Sequence, residues 1–517
     1  MDRTRERGQT DPMTQTADTP VVQVNAPADG GIAGTVPALD AAAVAARAAE
    51  LRANQAAWQD LGADGRAPFF AAYRDWLLDN GEEITDLLQL ETGKVRHEAL
   101  IEIGMATDLI NYFSKIAGSA LATEKRKPHN LTSASSNLSV QYTPHQLVGV
   151  ITPWNFPIAG PFMDVTPALC AGAAVLIKPS EVTPLSIVRA LDGWKEIGAP
   201  DVFGAVTGTG ETGAALVDVV DFVQFTGSTA TGRKIAQQAA GRLIGYSLEL
   251  GGKDPMIVLA DADIDRAVNG AAWGGLFNSG QVCVSVERVY VEAPVYDEFV
   301  TKLSAKVAEL RQGPGPLGST DVGSMATPAQ VDIVQRHVDD AVANGARVLN
   351  GGHRGSEGYS FEPTVLVDVD HSMSCMREET FGPTIPVMKV ANADEAIRLA
   401  NDTEYGLSAS VWTTDEERGL EIAGRLDAGA VNVNNVLANL SATALPHGGW
   451  KESGIGSRFG GEAAIRKYCR AKAITTAKMT PKNELNWYPY TKRRSKALHR
   501  MVRLISARGK RKFARVR

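Results

Sequence analysis

Cys283 stands in FNSGQVCVSVERV, residues 277–289, behind a Gly-Gln-Val step and ahead of small and β-branched residues. A cysteine becomes a strong nucleophile as the thiolate, in a partly exposed site where a positive charge or a helix dipole favours the anion. Gly280, three residues earlier, permits the close backbone approach such a site needs. A lone cysteine is more often a packing residue, and on its own this one is open to that reading. Cys170 in ALCAGAAVL has the look of a helix-packing position and Cys469 in KYCRAK that of a strand position. With Cys375, the four cysteines show no C-x-x-C step and no neighbouring His cluster, so neither a disulfide framework nor a metal site is expected. Free thiols point to a reducing compartment, the cytoplasm.

Two glycine loops compete for a phosphate. GTGETG at 208–213 fits G-x-G-x-x-G between a strand and a helix. FTGSTATG at 225–232 places Gly227, Ser228 and Thr229 where a helix opens, and its free N–H groups and positive dipole end could receive a pyrophosphate. Either loop could equally be a tight turn. A third feature is IKPSE, which ends a strand with Lys178 and Glu181, a cation and an anion placed to grip a ribose or simply a solvated pair.

These groups need a scaffold of some size. The chain of 517 residues is too long for one hydrophobic core, so two or three domains are expected. Its 50 glycines and 25 prolines are scattered, which suggests many short loops between alternating strands and helices. The formal charge of −6 hides an asymmetry: residues 478–517 carry 14 Lys/Arg against one acid, Glu484. No signal-like or membrane-spanning apolar run is found. Residues 1 to about 35 show no apolar period and are expected to be a disordered lead-in.

From Asp40, a predicted N-cap, helical patterns run through the opening quarter, over 41–58, 66–79, 82–92 and 97–117. The apolar run LVGVITPW from 147 begins an alternation of buried strands and helices through AAVLIKP, FGAVTG, FVQFTGS and YSLELGG. A second series follows from PMIVLA through RVYVEA, PTVLVDV, IPVMKV, SASVWTT and AVNVN. The expected class is α/β, built on doubly wound parallel sheets.

Seven stretches then align in one order: ITPWNFP (151–157), IKPSE (177–181), FTGSTATG (225–232), LELGGKDP (248–255), NSGQVC (278–283), EETFGP (378–383) and PHGGWKESGIG (446–456). In these the chain resembles the aldehyde dehydrogenase superfamily, from about residue 36 to about 477. The resemblance implies an NAD-binding domain of Rossmann type (36–125 and 144–250), a catalytic domain (251–450), and bridging strands (126–143 and 466–480) used in a homodimer or homotetramer. A basic tail (481–517) lies beyond them. It makes Cys283 the nucleophile, Asn155 the oxyanion donor together with the Cys283 backbone N–H, and Glu249 the base, with Gly251 and Gly252 leaving room for its carboxylate to swing. It assigns Thr152, Trp154, Lys178, Ser180, Glu181, Gly227, Ser228, Thr231, Leu250, Glu379 and Phe381 to the cofactor, and leaves GTGETG as mainly a turn. Glu181 favours NAD, because a carboxylate accepts a ribose hydroxyl and repels a 2′-phosphate; NADP stays open.

The substrate is left open. The nearest flavour is the bacterial succinate-semialdehyde dehydrogenases, yet IAGPFMDVTPAL lacks the Arg that such enzymes carry after the oxyanion Asn, and Asp164 would repel a carboxylated substrate if it faced the tunnel. Asp164 also stands where many members have a Lys that helps hold the base, and Ser285 replaces a Cys or Thr. With Phe162, Met163, Trp273, Val282 and Val284 as expected pocket walls, an apolar or aromatic aldehyde is the other candidate. Two further readings are a CoA-acylating enzyme, which needs no water-activating base, and a non-catalytic protein on the same fold. In the tail, Leu498, Met501, Val502 and Ile505 fall at i, i+3, i+4 and i+7 opposite Arg and Lys, the pattern of a basic amphipathic helix. Peripheral docking on an anionic membrane and an oligomer contact are both compatible with it.

Overall fold

In the computed structural model, which describes residues 20–130, 133–484 and 487–513, the run Leu147–Ile151 is a fully buried strand at the centre of a six-stranded sheet. Ala174–Lys178 and then Phe203–Ala205 lie on one side of it, Phe222–Thr226 and Gly245–Glu249 on the other, all parallel. Successive crossovers therefore run outward in opposite directions from Leu147–Ile151. This opens a crevice at the carboxyl ends of the strands, where a nucleotide fits. Gly149 sits mid-strand because a side chain there would lie 2.4 Å from Leu216 and 3.0 Å from Val220, so its absence lets the covering helix Gly210–Val219 close on the sheet.

The last parallel strand ends at Glu249, and only Leu250–Lys253 separate it from Asp254–Val258, which belongs to a second sheet. That sheet has seven strands, in the order Arg347–Asn350, Thr364–Val367, Thr384–Val390, Val286–Glu292, Asp254–Val258, Ser408–Trp412 and Ala430–Val433. Only the Arg347–Asn350 edge is antiparallel. Both faces are buried. Met256 and Val258 point into one apolar cluster and Ile257 and Leu259 into the other, as the two-residue strand period requires. The short strand Gly454–Ile455 returns to pair antiparallel with Leu248–Glu249, so Glu249 is clamped from its open side.

The predicted opening helices form as Ala41–Asp60, Gly62–Asp79, Gly81–Thr92 and Arg96–Leu121, the first capped by Asp40, which accepts from the Ala43 N–H at 2.8 Å. The expected disordered lead-in is corrected over its described part: Val21–Asn25 and Ile32–Pro37 pair antiparallel and bury Val24. Their order comes from distant chain, because the Tyr359 N–H donates to Pro27 O at 2.8 Å and Gly34 packs under Leu185, neither of which a local pattern reveals. The part of that lead-in before residue 20 lies outside the described residues.

The contacts divide the chain into two compact units, Leu121–Thr143 with Cys469–Arg517, and the remainder. The smaller holds a sheet in which Ser136–Pro144 lies between Glu124–Arg126 and the long, mostly exposed edge strand Cys469–Ala477. Its tail carries the helix Lys492–Ser506, capped by Thr491, with Leu498 and Val502 exposed. Among the described residues no helix is long and apolar enough to cross a membrane.

Candidate active site

The loop that carries the thiol is wound unusually tightly. Asn278, Ser279 and Gly280 all take left-handed backbone angles, with φ of 53°, 55° and 69°. At Gly280 a Cβ would lie 2.0 Å from the Gly382 carbonyl oxygen, so no other residue fits there. The strained turn is over-determined by hydrogen bonds. The Asn278 N–H donates to Glu98 at 2.9 Å, the Gln281 side chain donates to Asn278 O at 3.0 Å, and its carbonyl accepts from the Ala326 N–H at 2.9 Å. The loop delivers Cys283, partly accessible, to the wall of a cavity of about 290 Å³. Burial pushes its thiol up to about 12, against the opposing pull of Arg458. Cys283 therefore rests as a neutral thiol.

Asn155 reaches the same cavity from the loop after the central strand. Its amide donates to Gln281 O at 2.9 Å, which ties it to the cysteine loop and leaves a second N–H for an anion. Its own carbonyl accepts from Lys94 Nζ at 2.9 Å and from the Asn278 amide at 3.0 Å. Lys94 is sealed from solvent with Glu102, to which it is also bonded. The second oxygen of Glu102 accepts from the Ile158 and Ala159 N–H groups at 3.0 Å, at the start of the helix Ala159–Ala171, where the dipole favours an anion. Motif spacing missed Lys94, Glu98 and Glu102. The only signal available was their cluster in ETGKVRHEALIE, which reads as ordinary helix polarity.

Glu249 is not on the cavity wall. It is buried, next in sequence to the wall residues Leu250 and Gly251, and neither carboxylate oxygen has a hydrogen-bond partner; His447 Nε2 lies 3.9 Å away. Burial pushes the Glu249 carboxyl up to about 7, opposed by Arg458 and Lys467, and pushes His447 down to about 4, so that ring is neutral at pH 7. The space at Gly251 and Gly252 is not reserved for Glu249, as the sequence suggests. A Cβ on Gly251 would strike Glu379 at 2.4 Å, and one on Gly252 the Cys283 carbonyl at 2.4 Å.

Gly227, Ser228, Leu250, Glu379, Phe381 and Trp154 line the cavity. Glu379 accepts from the Gly252 N–H at 2.9 Å, and burial pushes it up to about 8. Phe381, at φ 51°, meets Trp154 edge-on with centroids 5.3 Å apart. Its loop hangs on Glu287, which accepts from the Thr380 and Phe381 N–H groups and pairs with the buried Lys253 at 2.6 Å. Ser228 caps the 13-residue helix Thr229–Gly241 by accepting from the Thr231 N–H. Thr152, Ser180, Thr231 and the pair Lys178–Glu181, 2.7 Å apart, do not border the cavity. Thr152, Lys178, Ser180 and Glu181 stand instead at or just beyond the carboxyl ends of the parallel strands. Burial raises the Glu181 carboxyl, but Lys178 beside it holds it below the usual range. A cation–anion pair, a helix N-terminus and a buried carboxyl together are groups that fit a dinucleotide. In GTGETG, Thr212 instead donates to Leu39 O at 2.8 Å, consistent with a turn.

Several expected walls are corrected. Met163 and Val282 face the cavity, but Phe162 does not: it is buried and stacks on Tyr73, with centroids 5.8 Å apart. Val284 points into the apolar core, and Trp273 is 48% exposed on the far side of Phe277. Asp164 does not face the cavity. It is fully buried, and Arg458 takes the wall position in front of it. Ser285 is buried and donates to Gly274 O at 3.0 Å. The walls that motif spacing missed include Met105, Phe156, Phe277, Ile333, Leu440 and His447.

Residues 13–474 match the aldehyde dehydrogenase family. Over 468 residues the chain is 40% identical to the 4,4′-diapolycopene aldehyde oxidase of Methylomonas sp, covering 90% of this chain and 87% of that protein. The structure superposes with a TM-score of 0.85 on succinate-semialdehyde dehydrogenase from Burkholderia pseudomallei, 36% identical, covering 89% of this chain and 95% of that one. It does so equally, at 0.85, on an NADP dependent enzyme of E. coli, 34% identical, with the same coverage.

Replacing Lys94 by Met strands Glu102 without its counter-charge and frees the Asn155 carbonyl. Breaking a buried pair in this way costs about 3–5 kcal/mol. The expected outcome is a large drop in thermal midpoint with a loss of activity; an unchanged midpoint would show that the pair carries no structural weight.

Proposed function

Since the chain belongs to the aldehyde dehydrogenase family and is an NAD(P)-dependent oxidoreductase, we propose that it oxidises an apolar or aromatic aldehyde to its carboxylic acid with NAD, through a thioester on Cys283. The observation that carries this reading is the convergence of Cys283 and Asn155 on one cavity whose other walls are Met105, Phe156, Met163, Phe277, Ile333 and Leu440. Among the described residues the guanidinium on that wall is Arg458, whose Nε and Nη2 are held by Asp164, and its remaining nitrogen Nη1 lies against the Met163 sulfur. A relative named for 4,4′-diapolycopene aldehyde is in keeping with this.

Glu249 first takes the Cys283 proton, and the thiolate adds to the aldehyde carbon. The second Asn155 N–H meets the developing oxyanion, a contact worth about 3 kcal/mol of barrier. When bound, a nicotinamide accepts the hydride released as the carbonyl re-forms. Once Glu249 has given the first proton up to solvent, its carboxylate removes a proton from a water that attacks the thioester; the tetrahedral adduct collapses, the C–S bond breaks, the Cys283 thiolate leaves and the acid is released. Glu249 must rotate past Leu250 to do this, since it rests behind the wall.

Against a panel of hexanal, benzaldehyde and succinate semialdehyde, kcat/KM should favour the apolar substrates by at least about tenfold. Cys283→Ala should abolish NADH formation, and Asn155→Ala should lower kcat by about a hundredfold or more. Preference for succinate semialdehyde would overturn the substrate class, and a requirement for CoA would overturn hydrolysis.

The cofactor preference rests on Glu181, which Lys178 keeps ionised at the ribose end of the crevice. NAD should exceed NADP in kcat/KM, and Glu181→Gln should narrow that ratio by about tenfold, the effect of removing one like-charge contact. An unchanged ratio would remove Glu181 from the selection.

We also infer that the helix Lys492–Ser506 docks on anionic lipid. It has no acidic residue, presents Leu498 and Val502 to solvent, and follows the exposed Trp487, Tyr488 and Tyr490. Full-length protein should sediment with phosphatidylserine vesicles while a chain ending at Ala477 stays in solution; equal sedimentation of the two would end this reading.

A further inference from the structure

Behind the cavity wall lies a buried charge cluster that the reaction as described does not use. Asp164, on the helix Ala159–Ala171, is at its centre. Its Oδ2 accepts from Arg458 Nε at 3.0 Å and Nη2 at 2.7 Å, and its Oδ1 accepts from the Tyr468 hydroxyl at 3.0 Å, with Lys467 Nζ at 3.6 Å. Arg458 Nη2 also donates to Thr226. The guanidinium is thus fixed on one side, and Arg458 is the member of the cluster that reaches the cavity. Its remaining nitrogen, Nη1, meets only the sulfur of Met163, at 3.8 Å. A thioether is a poor acceptor for a charged donor. Nearby, the Glu249 carboxylate has two oxygens with no partner at all. A rigid, under-used cation and an unpartnered anion therefore lie in the same buried neighbourhood.

We propose that Arg458, anchored by Asp164, is a positioning residue for thioester hydrolysis: its Nη1 receives the Glu249 carboxylate when that side chain turns into the cavity and holds it toward the attacking water. This rests on the reading of Glu249 as the base. The groups facing Glu249 are Arg458, Asp164, Lys467, Tyr468 and His447, with Cys283 across the cavity. His447 is neutral at working pH, and burial pulls Lys467 below its usual range, whereas Asp164 and Glu249 hold Arg458 above its own despite burial. Arg458 is thus the firm cation of the cluster. Two carboxylates and two cations balance when Glu249 is ionised. Removing Arg458 leaves an excess of negative charge, and removing the Asp164 charge leaves an excess of positive charge.

The test is a pH profile of steady-state turnover against the NADH burst for Arg458→Gln, Arg458→Lys and Asp164→Asn. In Arg458→Gln, hydrolysis should slow by about tenfold or more relative to acylation, and the acidic limb should move up by about one pH unit. Asp164→Asn should move the limb the other way, and Arg458→Lys should hold it near its original place. Because a single buried charge left behind can prevent folding, the double variant Asp164→Asn/Arg458→Gln is measured too, and should show the same selective loss of hydrolysis. Equal loss of burst and turnover with an unmoved limb in these variants would overturn the proposal and leave Arg458 a wall residue. Glu249→Gln separates the two readings: if it still hydrolyses the thioester at the normal rate, the base itself is misassigned and the role of Arg458 falls with it.

Discussion

One buried ammonium organises the catalytic end of this protein. Lys94 is sealed with Glu102, and between them they fasten three stretches of chain: the helix Arg96–Leu121, the first turn of Ala159–Ala171, and the carbonyl of Asn155. Through Asn278, which donates to the same carbonyl, the arrangement extends to the cysteine loop. A buried pair of this kind adds little net stability over an apolar equivalent, because desolvation consumes most of its attraction. Its value is directional. An ammonium has three donors in fixed directions, and here two of them go to Glu102 and Asn155, which sets the separation of amide and thiol.

The same physics governs the ionisable groups of the site. Burial pushes Cys283 to about 12 and Glu379 to about 8 on the cavity wall, and Glu249 to about 7 behind it, so each is drawn toward its neutral form. A largely apolar cavity makes any charge formed there strongly felt. Two buried ion pairs flank the cavity: Asp164 behind the wall with Arg458 on it, and Lys253 with Glu287. The first pair neighbours Glu249 and the second holds the loop of Glu379 and Phe381.

Glycine carries the tight geometry. Gly280 yields to the Gly382 carbonyl, Gly251 to Glu379 and Gly252 to the Cys283 carbonyl. LELGGK alone suggests room for the Glu249 side chain to swing, but the space at its two glycines is taken by Glu379 and the Cys283 carbonyl. Likewise the acid in GPFMDV is legible as a departure from the usual pattern, and the condition under which it would repel a carboxylated substrate, that it face the tunnel, is not met. Asp164 turns away from the cavity and brings a guanidinium to the wall instead of a repelling carboxylate.

The alternation of apolar runs and the cap at Asp40 sufficed for the α/β class and the parallel strands of both sheets, and the motif order put forward the thiol, amide and carboxylate. These features are local: a strand buried on both faces must be apolar throughout, and a helix start needs an acceptor. The direction of each side chain was decided only on folding. Phe162 and Met163 are adjacent in one helix, yet one stacks in the core and the other lines the cavity. The pairing of Asp164 with Arg458 spans nearly 300 residues, and the hairpin at Val21–Pro37 is ordered by Leu185 and Tyr359. Such contacts depend on which distant surface fills a given direction, and that is a property of packing with no counterpart in residue spacing.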